Sequence, residues 1–226
     1  LGNVLRVLGN LQDAELSYRK AIELKPDFTD AHFNLGIILK DLGKSQEAFD
    51  SYLKAIDIDP TLSTIYPSLT RFIKDSDPSQ LNKSKLKYII NLLLEKNDIS
   101  HQELIRAFNF IYRNEIISSL EQFDSDFSKI EILINDKVII NALKKIILCD
   151  IKLEKILTKI RRNICHIISK NVGKFNESKL NFIIALGEQC FLNEYVYSVT
   201  EEENISVENI IKKCRDSEFS EIHLSI

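Results

Sequence analysis

The sequence predicts an all-α protein in which a short array of helical hairpins is followed by a helical domain. Three observations support this prediction. The first 60 residues repeat with a period of 34 residues. Apolar residues in the remainder recur at helical spacing. The chain holds only six glycines and four prolines, which is little material for the turns and bulges that sheets require.

The repeat becomes visible when the sequence is compared with itself at an offset of 34 residues. The matched pairs are Leu1 and Leu35, Gly2 and Gly36, Leu5 and Leu39, Gly9 and Gly43, Ala14 and Ala48, Tyr18 and Tyr52, Ala21 and Ala55, Ile22 and Ile56, and Pro26 and Pro60. The stretch "NLGIILKDLGKSQEAFDSYLKAIDIDP" resembles the tetratricopeptide repeat (TPR), a helix-turn-helix family. The resemblance implies a solenoid of stacked helical hairpins.

Two glycines interrupt the helical pattern of each repeat and need a physical reason. Gly36 lies inside the first helix of a hairpin, helix A, where glycine costs about 1 kcal/mol relative to alanine. We expect it to allow a close approach of the second helix, helix B, at a point where a side chain would clash. Gly43 falls where helix A ends, and suits the left-handed conformation that caps a helix. Pro60 is expected to end helix B.

A third copy of the repeat begins and then decays. Tyr66, Leu69 and Ile73 take the places of His32, Leu35 and Leu39, but Thr70 replaces the packing glycine and Asp77 the turn glycine. We therefore predict two repeats and a capping helix from Ser63 to about Lys74. The predicted domains are a TPR domain over 1–78, which starts in the middle of a repeat, and a helical domain over 79–226.

The second domain is predicted from helical periodicity alone. Helices are expected near 80–96, 101–122, 137–148, 152–170, 178–197 and 201–215. Ser100 with Glu103, and Thr200 with Glu203, have the spacing of a capping box. One helix carries an apolar stripe of Leu153, Ile156, Ile160, Ile164 and Ile167. Gly187 lies among the apolar residues Leu180, Ile183, Ile184 and Phe191, and predicts a second close helix crossing.

Composition and motifs exclude several classes of function. The formal net charge of −3 gives no general attraction to nucleic acid or to a membrane surface, and neither is predicted as a partner. The basic face formed by Lys152, Lys155, Lys159, Arg161 and Arg162 has no interleaved aromatics, and Glu201, Glu202 and Glu203 could balance it. Cys149, Cys165, Cys190 and Cys214 lack metal-ligand spacing and indicate a reduced, cytoplasmic compartment. No catalytic, cofactor-binding or metal-binding residue is predicted.

The resemblance to the TPR family implies a binding surface on the helices A, which line the concave side of such a solenoid. On this sequence, the groove would expose Asn3, Arg6, Phe33, Asn34, Ile37, Lys40, Ser68 and Arg71, and would bind a peptide or protein partner. Asn34 stands where an asparagine commonly binds ligand backbone in this family, although it could equally be a simple polar helix position. Thr64 and Ser68 stand where the family's carboxylate clamp has cations, so the clamp is not predicted.

A second resemblance concerns residues 153–215. "KILTKIRRNIC", "FIIALGEQCFLNEYVY" and "TEEE" resemble the helical segment between the repeats and the catalytic domain of bacterial TPR-linked SAM-dependent methyltransferases. This resemblance implies the non-catalytic recruiting region of an enzyme as the alternative to a binding scaffold. A helical oligomerisation module is a third interpretation, and the oligomeric state stays open.

Overall fold

The structure, a computed structural model, describes residues 1–121, 127–170, 176–192 and 200–215. Over these ranges it consists of twelve α-helices and three 3₁₀ segments and contains no strand, which confirms the predicted all-α fold. The chain divides into two compact units, Leu1–Phe110 and Ile111–Ile226. The predicted domain boundary after residue 78 was placed where the repeat pattern ends, and it stays a prediction.

The first unit begins with the repeat helices. They are α1 (Gly2–Val7), α2 (Leu11–Leu24), α3 (Thr29–Asp41), α4 (Ser45–Ile58) and α5 (Ile65–Asp75). Helices α1 and α2 form the first repeat, α3 and α4 form the second, and α5 is the predicted capping helix. A 3₁₀ turn at Pro78–Gln80 leads to α6 (Lys83–Glu95), and a second at His101–Leu104 leads to α7 (Ile105–Glu121).

The four repeat glycines have the two predicted roles. A Cβ atom built on Gly36 would lie 3.1 Å from the ring of Tyr52, and one on Gly2 would lie 2.6 Å from the ring of Tyr18. Both distances are shorter than ordinary van der Waals contact, so a side chain at either position would push the ring away from helix A. Gly9 and Gly43 have φ of 76°, the left-handed conformation that ends α1 and α3.

The core of the second repeat is built around the ring of Tyr52. This side chain is 2% exposed, and its ring centroid lies 5.9 Å from that of Phe33 and 5.4 Å from that of Phe72. Phe72 belongs to α5 and also stacks on Phe49 of α4, with centroids 6.2 Å apart. The aromatic cluster therefore joins the second repeat to its capping helix.

A buried carboxylate joins the two repeats. Glu15 of α2 is 8% exposed and accepts hydrogen bonds from Lys44 Nζ at 2.8 Å and Arg19 Nε at 2.9 Å. Arg19 also reaches Glu47 of α4 at 2.6 Å. These charge-assisted bonds hold the pKa of Glu15 below its usual value, and the bond from Lys44 has the largest effect.

The third copy keeps one feature of the repeat and loses the others. The Tyr66 hydroxyl donates to the Pro60 carbonyl at 2.6 Å, as His32 Nε2 does to Pro26 at 2.9 Å one repeat earlier. Thr70 replaces the packing glycine, and its hydroxyl bonds to its own helix, at the Tyr66 carbonyl. Asp77 replaces the turn glycine and caps the 3₁₀ turn by accepting from the Ser79 amide. The chain therefore leaves the repeat register at this point.

Helix α6 is anchored to α4. The backbone amide of Asn82 donates to Gln46 Oε1 at 2.8 Å, and Lys85 pairs with Asp50 at 2.7 Å. The capping box expected at Ser100 is wrong, because Ser100 makes no side-chain capping bond and is followed by a 3₁₀ turn. Glu103 points instead to Lys74, at 3.0 Å.

The second unit contains the rest of the helices that the structure describes. They are the end of α7, α8 (Glu131–Asn135), α9 (Lys137–Lys145), α10 (Ile151–Lys170), α11 (Glu177–Leu192) and α12 (Glu201–Arg215). The predicted helices after residue 130 are confirmed, except that 193–197 lie outside the described residues. Helix α8 was not predicted. Thr200 Oγ1 accepts from the Glu203 amide at 3.3 Å, which confirms half of the second capping box.

Two predictions about the interior of this unit have different outcomes. Of the stripe on α10, Leu153, Ile160 and Ile164 are buried, whereas the other two isoleucines are half-buried. The close helix crossing expected at Gly187 is wrong, since a Cβ atom there would meet nothing within 4 Å. The buried residues Phe182 and Ala185 lie on another face of α11, about 160° from Gly187 around the helix in the case of Ala185.

Candidate peptide-binding surface

The predicted groove residues lie on three helices that occupy equivalent places in the repeat, α1, α3 and α5. We call the set the A-face: Asn3, Arg6, Phe33, Asn34, Ile37, Lys40, Ser68 and Arg71. All eight are half-buried or exposed. Their helix neighbours Leu35, Ile38 and Leu69 are at most 4% exposed. The 3.6-residue period of each helix thus directs the apolar residues inward and leaves the A-face in contact with solvent.

Asn3 is held by a tyrosine that the sequence alone did not single out for this surface. The Tyr18 hydroxyl donates to Asn3 Oδ1 at 2.7 Å. Burial raises the pKa of Tyr18, so the hydroxyl stays protonated and remains the donor at neutral pH. The bond occupies the oxygen of Asn3 and leaves its amide group as the donor available to a ligand.

Asn34 uses one of its donors within its own helix. Its Nδ2 donates to the Asp30 carbonyl at 2.7 Å. This bond fixes the side chain at the surface of α3, with the amide oxygen as an acceptor for a ligand amide. The arrangement is compatible with both interpretations of the sequence, a ligand-binding amide and a polar helix position.

The two apolar members of the A-face lie between these asparagines and the basic residues, and they offer apolar contact area to a ligand. The Phe33 ring is half-buried because one of its sides rests on Tyr52, at a centroid distance of 5.9 Å. Ile37, one helical turn further along α3, is also half-buried. A side chain of a ligand that covered both residues would remove apolar surface from water.

Lys40 has a partner that sequence reasoning missed. Its Nζ lies 2.9 Å from Asp75 Oδ2 at the end of α5, so the pair links the second and third helices of the A-face. The hydrogen bond from Lys40 lowers the pKa of Asp75. Asp75 lies one turn after Arg71 on α5, and this spacing is the signal that could have placed an acid on the A-face.

The remaining two residues belong to α5. The Ser68 hydroxyl donates to the Thr64 carbonyl of its own helix at 3.0 Å. Arg71 is exposed. Within the described residues neither Arg6 nor Arg71 takes part in an ion pair. The A-face therefore offers two cations to a ligand, since Lys40 is already paired.

A cavity of about 700 Å³ brings the two asparagines to one place. Asn3 and Asn34 both line it, together with Tyr18 and Ala21 of α2 and with Phe28, which precedes α3. Apolar side chains form much of the wall, with amide groups at two points. The wall also includes the charged residues Lys20 and Asp30.

Other parts of the chain that raised chemical questions have structural partners. On the basic face of α10, Lys152 pairs with Glu121 at 2.8 Å. Arg161 donates to both carboxylate oxygens of Glu203, at 2.7 and 3.1 Å, and Arg162 lies 3.5 Å from the same group. Acidic residues therefore pair with three of the five cations of this face, and of the three glutamates expected to balance it only Glu203 is buried against it.

Two of the four cysteines have side chains that the structure describes. Cys149 is exposed and Cys165 is half-buried, and neither is part of a disulfide. The side chains of Cys190 and Cys214 lie outside the described part of the structure, as do Asn193 and Glu194, which the sequence placed near Cys190. In the described part, no group of three or more His, Cys, Asp or Glu residues could hold a metal ion, and no helix could span a membrane.

Comparison with known families agrees with the repeat geometry. A family model described as "TPR repeat" matches residues 2–43, and one described as "Tetratricopeptide repeat" matches residues 29–62. No curated protein matches the chain. Together the matches cover both glycine and tyrosine pairs and the helices that carry most of the A-face. Residues 2–62 are therefore a TPR segment.

Proposed function

We propose that the chain is a protein-interaction scaffold that binds an extended peptide segment of a partner protein across the A-face. The TPR segment supports the general function, since repeats of this family mediate protein–protein interaction. The observation that carries the finer proposal is the arrangement of amide, apolar and basic side chains on equivalent turns of α1, α3 and α5.

Each part of the A-face has a separate role in this proposal. The amides of Asn3 and Asn34 bind the ligand backbone, whose hydrogen-bonding groups are the same in every sequence. Phe33 and Ile37 bind an apolar side chain. Lys40 already has a partner in Asp75, so Arg6 and Arg71 are the cations that a ligand can pair with. They favour a ligand with an acidic residue near either end.

The test begins with selection of binding peptides from a displayed library on the unmodified protein, followed by calorimetric titration. The double variant Asn34→Ala with Arg71→Ala should weaken a selected peptide at least about tenfold, because an amide and a charged contact are both lost. Lys54→Ala is the matched control, since Lys54 is an exposed cation of α4 outside the A-face. Equal affinity of the double variant and the control would rule out this surface.

The alternative proposal is the non-catalytic recruiting region of a TPR-containing SAM-dependent methyltransferase. It rests on the sequence pattern carried by α10, α11 and α12, and it leaves the chain itself without catalytic residues. The decisive measurement is the reading frame downstream of Ile226. A glycine-rich SAM-binding loop there would support this proposal, and an early stop codon would remove it.

The cellular setting is also part of the proposal. A reduced, cytoplasmic compartment stays a prediction, supported by the wide separation of the four cysteines in the sequence. The proposal includes no role for nucleic acid or a membrane surface. The rival interpretation, an oligomerisation module, predicts a mass that rises with concentration in light scattering.

A further inference from the structure

The end of α5 holds one carboxylate among several cations. Asp75 is the last residue of this helix, and its Oδ2 lies 2.9 Å from Lys40 Nζ of α3. Arg71 lies one helical turn before Asp75, so the two side chains are neighbours on the surface of α5. The hydrogen bond and the charge of Lys40, followed by the charges of Lys74 and Arg71, hold the pKa of Asp75 below its usual value. Asp75 is thus within electrostatic reach of three cations.

These three cations are not equally available to a ligand. Lys74 pairs with Glu103 at 3.0 Å. Lys40 pairs with Asp75, and their side chains are 33% and 48% exposed, so both groups reach solvent beside the A-face. Arg71 is exposed and, among the residues that the structure describes, has no ion-pair partner. A ligand at this end of the A-face therefore meets one available cation and, one turn further along α5, a carboxylate that is already in place.

The charge that this arrangement can accept is small. An aspartate or glutamate side chain carries one negative charge, which a single arginine can pair with in a bidentate contact. A phosphorylated side chain carries a charge of about −1.5 to −2 at pH 7 and has three acceptor oxygens, so it binds best where several cations converge. Because Asp75 holds Lys40, Arg71 is left to balance one charge, and the Asp75 carboxylate repels a second one.

We propose that Asp75 determines the charge class of the ligand: it favours a singly charged aspartate or glutamate opposite Arg71 and disfavours a phosphorylated residue at that place. The inference rests on the proposed peptide-binding function, to which it adds a specificity-determining residue outside the A-face. Asp75 takes the second cation that a phosphate group would require, and its own charge stays beside the binding position. Asp75→Asn removes this charge with almost no change of shape, and should therefore change the preference.

The probes are peptides selected from a displayed library on the unmodified protein. The ligand position opposite Arg71 is identified by replacing each acidic residue of a selected peptide with glutamine. At that position, the replacement weakens binding to the unmodified protein but not to the variant Arg71→Ala. Synthetic peptides are then made with glutamate or phosphoserine at this position. Calorimetric titration at about pH 7.5, where the phosphate is largely a dianion, gives the affinity of each peptide.

The readout is the ratio of the two affinities, because a change in the fold would weaken both peptides alike. The unmodified protein should bind the phosphoserine peptide no more tightly than the glutamate peptide. Asp75→Asn should bind the phosphoserine peptide at least about threefold more tightly than the glutamate peptide, since it frees Lys40 and removes the repelling charge. Lys40→Gln in the Asp75→Asn background should remove most of this gain. The matched control is Asp57→Asn, because Asp57 is an exposed carboxylate of α4 outside the A-face.

Two results would overturn the inference and leave the peptide site intact: a preference of the unmodified protein for the phosphoserine peptide, or the same affinity ratio in Asp75→Asn and Asp57→Asn. Failure to select any peptide, or binding that does not depend on Arg71, would overturn the proposed peptide site and this inference with it. The effect of Arg71→Ala on the selected peptides thus distinguishes the two failures. Circular dichroism verifies that each variant is folded.

Discussion

Substituting alanine for single glycines tests whether Gly36 is required for packing. In an unobstructed helix, Gly→Ala raises the free energy of unfolding by about 1 kcal/mol. At Gly36 this gain is opposed, because the new Cβ would lie 3.1 Å from the ring of Tyr52. The ring has little room to move, since it is 2% exposed and packs against Phe33 and Phe72.

Overpacking of a rigid core costs about 1–3 kcal/mol. Set against the helical gain of about 1 kcal/mol, the expected net effect of Gly36→Ala is a loss of about 0–2 kcal/mol. Gly187 in α11 is the matched control, because a Cβ there meets nothing within 4 Å. Gly187→Ala should therefore stabilise its unit by up to about 1 kcal/mol.

The assay is urea unfolding followed by circular dichroism, with hydrogen exchange of α3 and α11 to observe each glycine in its own unit. In a Tyr52→Leu background, Gly36→Ala should become stabilising, because the obstructing ring is gone. The reasoning is refuted if Gly36→Ala and Gly187→Ala stabilise the protein equally, or if Tyr52→Leu leaves the effect of Gly36→Ala unchanged.

Three further predictions test the ion pairs, one of them with a control substitution. Glu15→Gln should lower the free energy of unfolding by about 1–2 kcal/mol at neutral pH. Folding lowers the pKa of Glu15 below its usual value. The contribution of this pair is therefore present above the unfolded-state pKa and is lost as the pH falls through the folded-state pKa. Glu23→Gln, at an exposed pair, should have little effect at any pH. Lys40→Ala should raise the pKa of Asp75 in an NMR titration, since its principal hydrogen bond is removed. Glu203→Gln should increase amide exchange in α12, because its ion pair with α10 is weakened.

The repeat could be predicted from sequence because each of its contacts recurs at a fixed offset. Gly36 and Tyr52 are 16 residues apart, as are Gly2 and Tyr18, and the repetition of both residue types shows that they belong to one interface. The turn glycines were predicted on the same basis. In the second unit no repetition was available, so helices could be placed by periodicity but their contacts could not.

Gly187 and Ser100 show why single-sequence reasoning failed at particular points. The apolar residues Leu180, Ile183 and Ile184 share a face of α11 with Gly187 and led to the prediction that this face is buried. They are only half-buried, and the buried face passes through Phe182 and Ala185. The Ser100 capping box depended on Glu103 turning back to its own helix, but a lysine distant in sequence, Lys74, lies within its reach. A local motif predicts a contact only where no tertiary partner competes for the same side chain.

Bonds within the protein also compete with a ligand for the polar groups of the A-face. Tyr18 occupies the oxygen of Asn3, Asp30 accepts one donor of Asn34, and Asp75 holds Lys40. These bonds reduce the number of groups available to a ligand, but they also fix the remaining ones before it arrives. The protein therefore loses less side-chain conformational entropy when a ligand binds than it would if these side chains were unrestrained. Specificity at this surface should come from the groups left available, which are the two asparagine amides and the two arginines.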